Sequence, residues 1–489
     1  MSQRKAPGRA GTSSGAGARA KGVGSGNAGK PGCSGRAAAG GPKGRAGRGS
    51  KEEVLRESNS PAATRLKNSG SPGGGVGKSG GSKAGDGRRT GSGVRGKGRA
   101  AAGDSSNVPG GRRAAELNKV LRNVVENLRI KSVQKSRASR QVNEVVDHLL
   151  RYIRKESGGC FTDMEKLSSG SYYENVKISE PNEFDIMIVI PIKRIEFLEV
   201  DAEGAFYQVI FKRNPGANPL SQFVCNDTLS AEEMICHLRK LIKEGAKTLS
   251  EYNIKLERRK PGCPAVTLQI EDKEYGPISL DMVLALEVHS QSWPSSTTDG
   301  LKIGDWLGKK VRKEFRMKPF YLVPKHPLNL AQGTRSQSQK EVWRISFSHI
   351  EKMMLLNHGS LKTCCENGSS KCCRKPCLKL LKNLIQKLKE KNPRILANVC
   401  SYHAKTTLLH ACVKRPKDEL WPFEELDTCF LQLVNDFIEH LKTSNLPHFF
   451  IPTYNLFNPS LFGSKCRETL LRLIEYERKN DFPIFGRPN

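Results

Sequence analysis

Three acids and a glycine–serine turn are the residues of this sequence best placed to do chemistry. Glu183 and Asp185 stand two apart at the start of the apolar run FDIMIVIPI. In an extended strand that spacing sends both carboxylates to one face, while Phe184, Ile186 and Ile188 face the other way. Two carboxylates so placed repel each other unless a cation lies between them. A third acid, Asp281, interrupts ISLDMVLALE: Ile278, Leu280, Met282 and Leu284 form one apolar face, and Asp281 shares the other with Val283 and Ala285. An acid in the middle of a buried strand is costly without a partner. Three converging carboxylates make a hard-oxygen site for Mg2+ or Mn2+, ions that favour carboxylates and nucleotide phosphates. Upstream, Gly170-Ser171 closes the turn SSGS. Glycine lets the backbone approach a phosphate, and serine adds a hydroxyl beside the amides of a helix start. A Glu-x-Asp pair or a Gly-Ser turn alone is common. The ordered set, with a later strand Asp, points to two-ion nucleotidyl transfer.

A second cluster is HGSLKTCCENGSSKCCRKPC, from His358 to Cys377, with five cysteines and a histidine. Neighbouring cysteines rarely bridge each other, and a reducing compartment opposes a disulfide knot. A catalytic thiol needs a base of its own, and the acids already supply a catalytic site. Tetrahedral Zn2+ takes four ligands and the segment offers six, so spacing points to zinc without choosing among them. A closed four-ligand site has no open position for substrate, which makes this ion structural, a staple for a loop with no core of its own. The segment also carries Lys362, Lys371, Arg374 and Lys375, with Lys379 just beyond it and Lys352 just upstream. A rigid positive protrusion of this kind can sit against duplex phosphates without reading bases.

The elements that must position these groups are legible as periodicity. Leu117, Val120, Leu121, Val124, Val125 and Leu128 recur at helical spacing, as do Val142, Val145, Val146, Leu149, Leu150 and Ile153. Strands are expected at FDIMIVIPI, AFYQVIFKR, PAVTLQIED and ISLDMVLALEV, with an amphipathic helix at SAEEMICHLRKLIKEGAKTL. After WPSSTTDG the texture turns mainly helical: IGDWLGKKVRKEF, VWRISFSHIEKMMLL, CLKLLKNLIQKLKEK, SYHAKTTLLHACVK, LDTCFLQLVNDFIEHLK and RETLLRLIEYERK. The expectation is an α+β protein of two lobes with a ligand cleft between them.

Composition divides the chain further. Residues 1–113 carry 23 Lys and Arg against 5 Asp and Glu, about +18 of the net +32, and few large apolar side chains. Such a segment cannot offset the entropy of folding, so a disordered basic arm is expected. It would add salt-sensitive affinity for nucleic acid by counterion release, or attach to acidic membrane. The opening MSQRKAPGRAG has no apolar core of a signal peptide, and no stretch reaches the roughly 20 apolar residues of a span. With 14 cysteines and no secretory signal, a soluble intracellular protein is expected.

LSSGSYYENVKISEPNEFD with the later ISLDMVLALE resembles the signature of polymerase-beta-like nucleotidyltransferases. More narrowly, FKRNPGANPLSQF, KPFYLVPKH, WRISFSHIEK and NHGSLKTCCENGSSKCC resemble the mammalian cyclic GMP–AMP synthase family, related to Mab-21 proteins and oligoadenylate synthetases. The resemblance runs from about Leu117 to the C-terminus. It implies a bilobal fold: a disordered arm over 1–113, a spine helix and mixed-sheet catalytic lobe over 114–300, and a helical lobe over 301–489 with a zinc loop at 358–372. It implies a DNA-activated enzyme joining ATP and GTP into 2′3′-cyclic GMP–AMP, a product that acts on the receptor STING in innate immunity. Glu183, Asp185 and Asp281 would hold two Mg2+ or Mn2+ ions, and Asp281 would assist the attacking hydroxyl. Ser169, Gly170 and Ser171 match the triphosphate turn, with Ser169 where the family has Thr. Arg344 and Glu351 match contacts to the acceptor base; Lys382, Ser401 and Tyr402 match groups that bind phosphate and stack a purine. The implied zinc ligands are His358, Cys364, Cys365 and Cys372, leaving Cys373 and Cys377 as exposed or half-buried thiols. Arg122, Arg129 and Lys131 on the spine, and Lys325 before an unusually long PLNLAQGTRSQSQKEV loop, would join the DNA face. The resemblance further implies a homodimer on double-stranded DNA, an inhibitory nucleosome acidic-patch contact through Arg194 and Arg213, and cytoplasmic and nuclear residence. The rival readings are an RNA-activated oligoadenylate synthetase, a non-catalytic nucleic-acid-binding relative and an architectural chromatin protein.

Overall fold

The structure, a computed structural model, describes residues 109–486 except 179–181, 213–215, 217, 261, 273–275, 290–291, 326–340, 362–363 and 366–370, with side chains from Arg113 onward. The expected arm up to residue 108, Arg213 and Lys362 therefore lie outside the described residues, while 109–113 open the first helix. Two helices open the described chain, α1 (Pro109–Asn127) and α2 (Ser132–Glu156). The helical-period residues of α2, Val142, Val145, Val146, Leu149, Leu150 and Ile153, are all buried, as the spacing requires. The sheet and its connections follow: β1 (Glu165–Ser169), α3 (Gly170–Tyr173), β2 (Glu183–Ile192), β3 (Ile195–Glu199), β4 (Phe206–Phe211), β5 (Val224–Cys225), β6 (Thr228–Leu229), α4 (Ala231–Lys247), β7 (Ile254–Leu256), β8 (Ala265–Ile270) and β9 (Ile278–Val288). Then come α5 (Lys309–Arg316), β10 (Phe320–Pro324), β11 (Val342–Ser346), α6 (Ser348–Leu356), α7 (Arg374–Lys391), α8 (Ser401–Lys414), α9 (Leu426–Lys442), α10 (Pro459–Phe462) and α11 (Ser464–Lys479).

Among the described residues the strands form one sheet, ordered β1-β2-β9-β10-β11-β4-β6-β5, with β3 on β4 and the β7–β8 pair joined to β9 through β8. Its centre is the parallel pair β2–β9; every other pairing is antiparallel. Strands buried on both faces read as near-continuous apolar runs, which is why FDIMIVIPI looks as it does. Phe184, Ile186 and Ile188 enter the main core. On the opposite face, Met187 and Val189 pack with Ala285, Tyr321 and Val323 in a separate small cluster. Glu183 and Asp185 continue that second face beyond its apolar end.

The second half departs from expectation in one respect. FYLVP and VWRIS, placed by the sequence in a helical region, are strands β10 and β11 of the sheet, so the sheet-bearing lobe runs past residue 300. Each is too short for its period to be told from a buried helix segment. The helical remainder follows the sequence closely: SYHAKTTLLHACVK is α8 and LDTCFLQLVNDFIEHLK is α9. Helix α1 packs on α9, where Asn118 Nδ2 donates to Asp427 Oδ1 (2.7 Å). No described helix is long and apolar enough to cross a membrane.

Candidate active site

The β2–β9 register sets the carboxylates side by side, with Asp185 opposite Asp281 and Glu183 two residues nearer the strand start. Thr267 on β8 is the register partner of Asp281 and donates its hydroxyl to Oδ1 (2.6 Å), fixing one carboxylate oxygen. Burial, then the charges of Asp281 and Glu183, push the Asp185 carboxyl up to about 6. Burial also raises Asp281, with Glu183 adding to the effect against the Thr267 hydrogen bond. This mutual repulsion on one polar face is what donors for divalent cations show, although the three carboxylates do not close on one point here as the zinc-type cluster below does, Glu183 being held by Lys177. Glu183 also accepts from Lys177, a cation the sequence reading did not single out.

The phosphate turn is built against the same acids. Strand β1 pairs with β2 so that Ser169 faces Asp185, and the chain turns at Gly170 (φ +79°) into the short α3. A Cβ at Gly170 would overlap the Asp185 carboxylate, so glycine is required twice, by conformation and by space. Lys352 on α6 donates to Ser168 O (2.9 Å) with its ammonium over the Tyr173 ring, which braces the turn from below. Lys352 is half-buried, so it serves the turn as well as standing among the cations expected at the DNA face.

Two cavities meet at Cys400. One, about 290 Å3, is lined by Ser171, Lys177, Glu183, Lys382 and Ser401. Burial, then Lys405, lower Lys382 to about 8, and its ammonium donates to Val176 O (2.8 Å). The other, about 410 Å3, is lined by Lys325, Arg344, Glu351, Tyr402, His448 and Tyr454 among others. Its aromatic walls and paired charges suit a planar heterocycle with donor and acceptor edges, next to a cavity with the cations for phosphates. The neighbouring Arg344, then burial, hold Lys325 down at about 8; Lys325 therefore belongs to this cavity's wall, which corrects its assignment to the DNA face. All eight expected nucleotide-site residues fall at the turn or on these two cavities. The sequence missed Lys177, and it missed Glu174 and Lys405, whose roles come from contacts between distant elements.

The cysteine cluster closes on four groups. His358 Nε2 and the sulfurs of Cys364, Cys365 and Cys372 lie within 4.8 Å of one another. Cys365 Sγ is 3.8 Å from Cys364 Sγ, 3.9 Å from Cys372 Sγ and 3.6 Å from His358 Nε2. A tetrahedron with Zn–S bonds of about 2.3 Å has S···S edges of roughly 3.8 Å, so the residues fit zinc. His358 Nδ1 donates to Leu355 O (3.0 Å), which leaves Nε2 as the ligand nitrogen. At Gly359 a Cβ would run into Cys364, so this glycine too is a space requirement. Cys373 and Cys377 differ from expectation: both are wholly buried, in the apolar core at the start of α7.

Residues 172–357 match the Mab-21 protein nucleotidyltransferase domain, and residues 373–475 match the Mab-21 protein HhH/H2TH-like domain. Similarity to the mouse cyclic GMP-AMP synthase is 48% identity over 367 residues, 75% of this chain and 70% of the mouse protein. The pig cyclic GMP-AMP synthase gives 48% over 368 residues, 75% and 72% of the two chains. The chain belongs to the cyclic GMP–AMP synthase family of Mab-21 nucleotidyltransferases. A cyclic GMP-AMP synthase-like receptor of Magallana gigas is more distant, 31% identical over 55% of this chain and 43% of its own. Family membership makes the chain a nucleotidyltransferase, in agreement with the carboxylate set.

In this family member the expected basic face is only partly assembled from the residues the sequence named. Lys371, Arg129, Lys131 and Arg194 are exposed. Burial, then Lys375, Lys135 and Arg129, lower the Lys379 ammonium, so spine and α7 cations share one patch, with Lys135 an unforeseen member. Arg122 is exposed but occupied, donating to Phe423 O and Glu424 O from above the Phe423 ring. Arg374 is a correction: its side chain is fully buried, paired with Asp418 and stacked on Trp421. Asp418 in turn accepts from the backbone of Ser360 and Leu361, so Arg374 ties down the zinc loop and cannot reach a phosphate.

Proposed function

We propose that this chain joins ATP and GTP into 2′3′-cyclic GMP–AMP and does so when bound to double-stranded DNA. The observation that carries the reading is the Asp185–Asp281 register with Glu183 beside it, next to a cation-lined cavity that shares Cys400 with an aromatic one. Glu183, Asp185 and Asp281 would hold the divalent ions, which when bound supply charge to activate a hydroxyl and stabilise leaving pyrophosphate. Ser171, Lys382 and Ser401 hold the triphosphate in the smaller cavity. Tyr402 stacks the purine of the larger cavity, with Glu351 and Arg344 at its polar edges. Asp281, held by Thr267, is placed to orient the attacking hydroxyl. The relatives' names, cyclic GMP-AMP synthase in mouse and pig, favour this product over a linear oligoadenylate.

Zinc at His358, Cys364, Cys365 and Cys372 shapes a loop beside the patch of Lys371, Lys375, Lys379, Lys135 and Arg129, which meets duplex phosphates. The wider expectations stand with this reading: two copies on DNA, a nucleosome contact at Arg194 that inhibits, a product that acts on STING, and residence in cytoplasm and nucleus. The test is incubation with ATP, GTP and Mg2+, with and without duplex DNA, followed by mass spectrometry. A cyclic dinucleotide formed in a DNA-dependent way supports the reading. Oligoadenylates formed with RNA, or no product under either condition, would overturn it.

A further inference from the structure

One hydrogen-bonded chain of side chains crosses the floor of the site, and its direction can be assigned. The backbone amides of Phe450 and Ile451 donate to His448 Nδ1 (3.3 and 3.2 Å), which puts the ring proton on Nε2. His448 Nε2–H then donates to the Tyr402 hydroxyl (2.8 Å), and Tyr402 donates to Glu351 Oε1 (2.8 Å). Glu351 Oε2 accepts from Lys405 Nζ (3.0 Å), which also donates to Glu174 Oε1 (2.7 Å). Glu174 follows α3, and its backbone N–H donates to Gly170 O (3.1 Å). The chain therefore begins at the wall of the larger cavity and ends on the turn that carries Ser171.

We propose that Lys405 is a positioning residue that couples the phosphate turn to the base-binding wall, so that nucleobase selectivity depends on Glu174, a residue lining neither cavity. Two independent observations argue against a plain structural ion pair. One ammonium bridges two buried carboxylates drawn from separate elements, so a shift of either acid is felt by the other. Glu174 is itself fully buried, and among the described residues its Oε2 has no hydrogen-bond partner. Side chains in one polarised network move together, so displacing Glu351 or Tyr402 shifts Lys405 and with it α3. Burial opposes the Lys405 charge, but the two glutamates hold it protonated, and Lys405 in turn keeps Glu351 ionised despite its burial. Every link is thus in the protonation state the directions above require.

The proposal rests on the nucleotidyl-transfer reading, and its test separates the two. The full chain, with Mg2+ and duplex DNA, is assayed as wild type, Glu174→Gln, Lys405→Met and Lys405→Arg, titrating each nucleotide with the other saturating. Glu174→Gln keeps the shape and removes the charge. Its expected effect is a rise in KM for GTP of about tenfold and an equal loss of preference for GTP over inosine triphosphate, with kcat falling about threefold or less. Lys405→Met gives the same pattern, and Lys405→Arg, which keeps the charge, restores most of the selectivity. A fall in kcat or melting temperature with KM and selectivity unchanged in both Glu174→Gln and Lys405→Met would overturn the proposal. Wild-type chain that makes no product from ATP and GTP would instead overturn the nucleotidyl-transfer reading.

Discussion

Asp185 and Asp281 face each other across the parallel β2–β9 pair, each within the other's field, and burial with that repulsion holds the Asp185 carboxyl at about 6. A carboxylate whose folded pKa is raised above its unfolded value binds protons more tightly when folded. Stability is then present in full at low pH and is lost as pH rises through the interval from 3.8 to about 6. At neutral pH the ion-free protein carries this penalty, on the order of 2–3 kcal/mol. Asp185→Asn should therefore melt several degrees above wild type in chelator at pH 7 while losing activity. An unchanged or lower melting temperature would show that the carboxylates are not in conflict.

Gly170→Ala tests the phosphate turn. The alanine methyl would meet Asp185 at a φ of +79°, so either the turn or the acid must move. Activity should fall by about two orders of magnitude or more, and stability by about 2 kcal/mol. Near-normal kcat would mean that the turn and the acids do not act as a unit.

Lys382 gives a pH dependence. Its ammonium is neutralised as pH rises through about 8, so the smaller cavity loses a cation above that value. KM for the triphosphate should climb between pH 7.5 and 9, and Lys382→Arg, which stays charged, should flatten the profile. A flat wild-type profile would remove Lys382 from phosphate binding.

The zinc cluster can be tested without touching a ligand. Gly359→Ala forces a methyl against Cys364 and should lower zinc content well below one ion per chain, as Cys364→Ala does directly. Full zinc content by metal analysis in both variants would reject this ligand set.

Arg374 and Lys371 should separate two kinds of basic residue. Arg374→Ala breaks a buried pair with Asp418 and should cost about 3–5 kcal/mol of stability. Lys371→Ala, on an exposed side chain, should leave stability within about 0.5 kcal/mol. It should lower the salt slope of DNA binding by about one.

These contrasts show what a sequence can carry. Period-two and period-3.6 patterns put β2, β9, α8 and α9 in place, and with them the three acids, because a strand fixes which face each side chain takes. The cysteine spacing gave a staple, since its ligands are close in sequence. VWRIS was hidden because five residues running straight into a helix are too few to show a period of their own. The Glu174–Lys405–Glu351 chain was hidden because its members come from α8 and α6 and from the residue just after α3, and only folding makes them neighbours. Arg374 looks like surface charge in sequence, and it is Asp418 that draws it inward.

The most direct measurement compares wild type with Asp281→Asn in the same tubes, reading cyclic dinucleotide by mass spectrometry and DNA affinity by titration. With ATP, GTP, Mg2+ and duplex DNA, wild type should give 2′3′-cyclic GMP–AMP. Asp281→Asn should give none, with DNA affinity within about twofold of wild type, as expected for a group that acts only in the chemical step. Product formation by Asp281→Asn would contradict the carboxylate site on which the whole account stands.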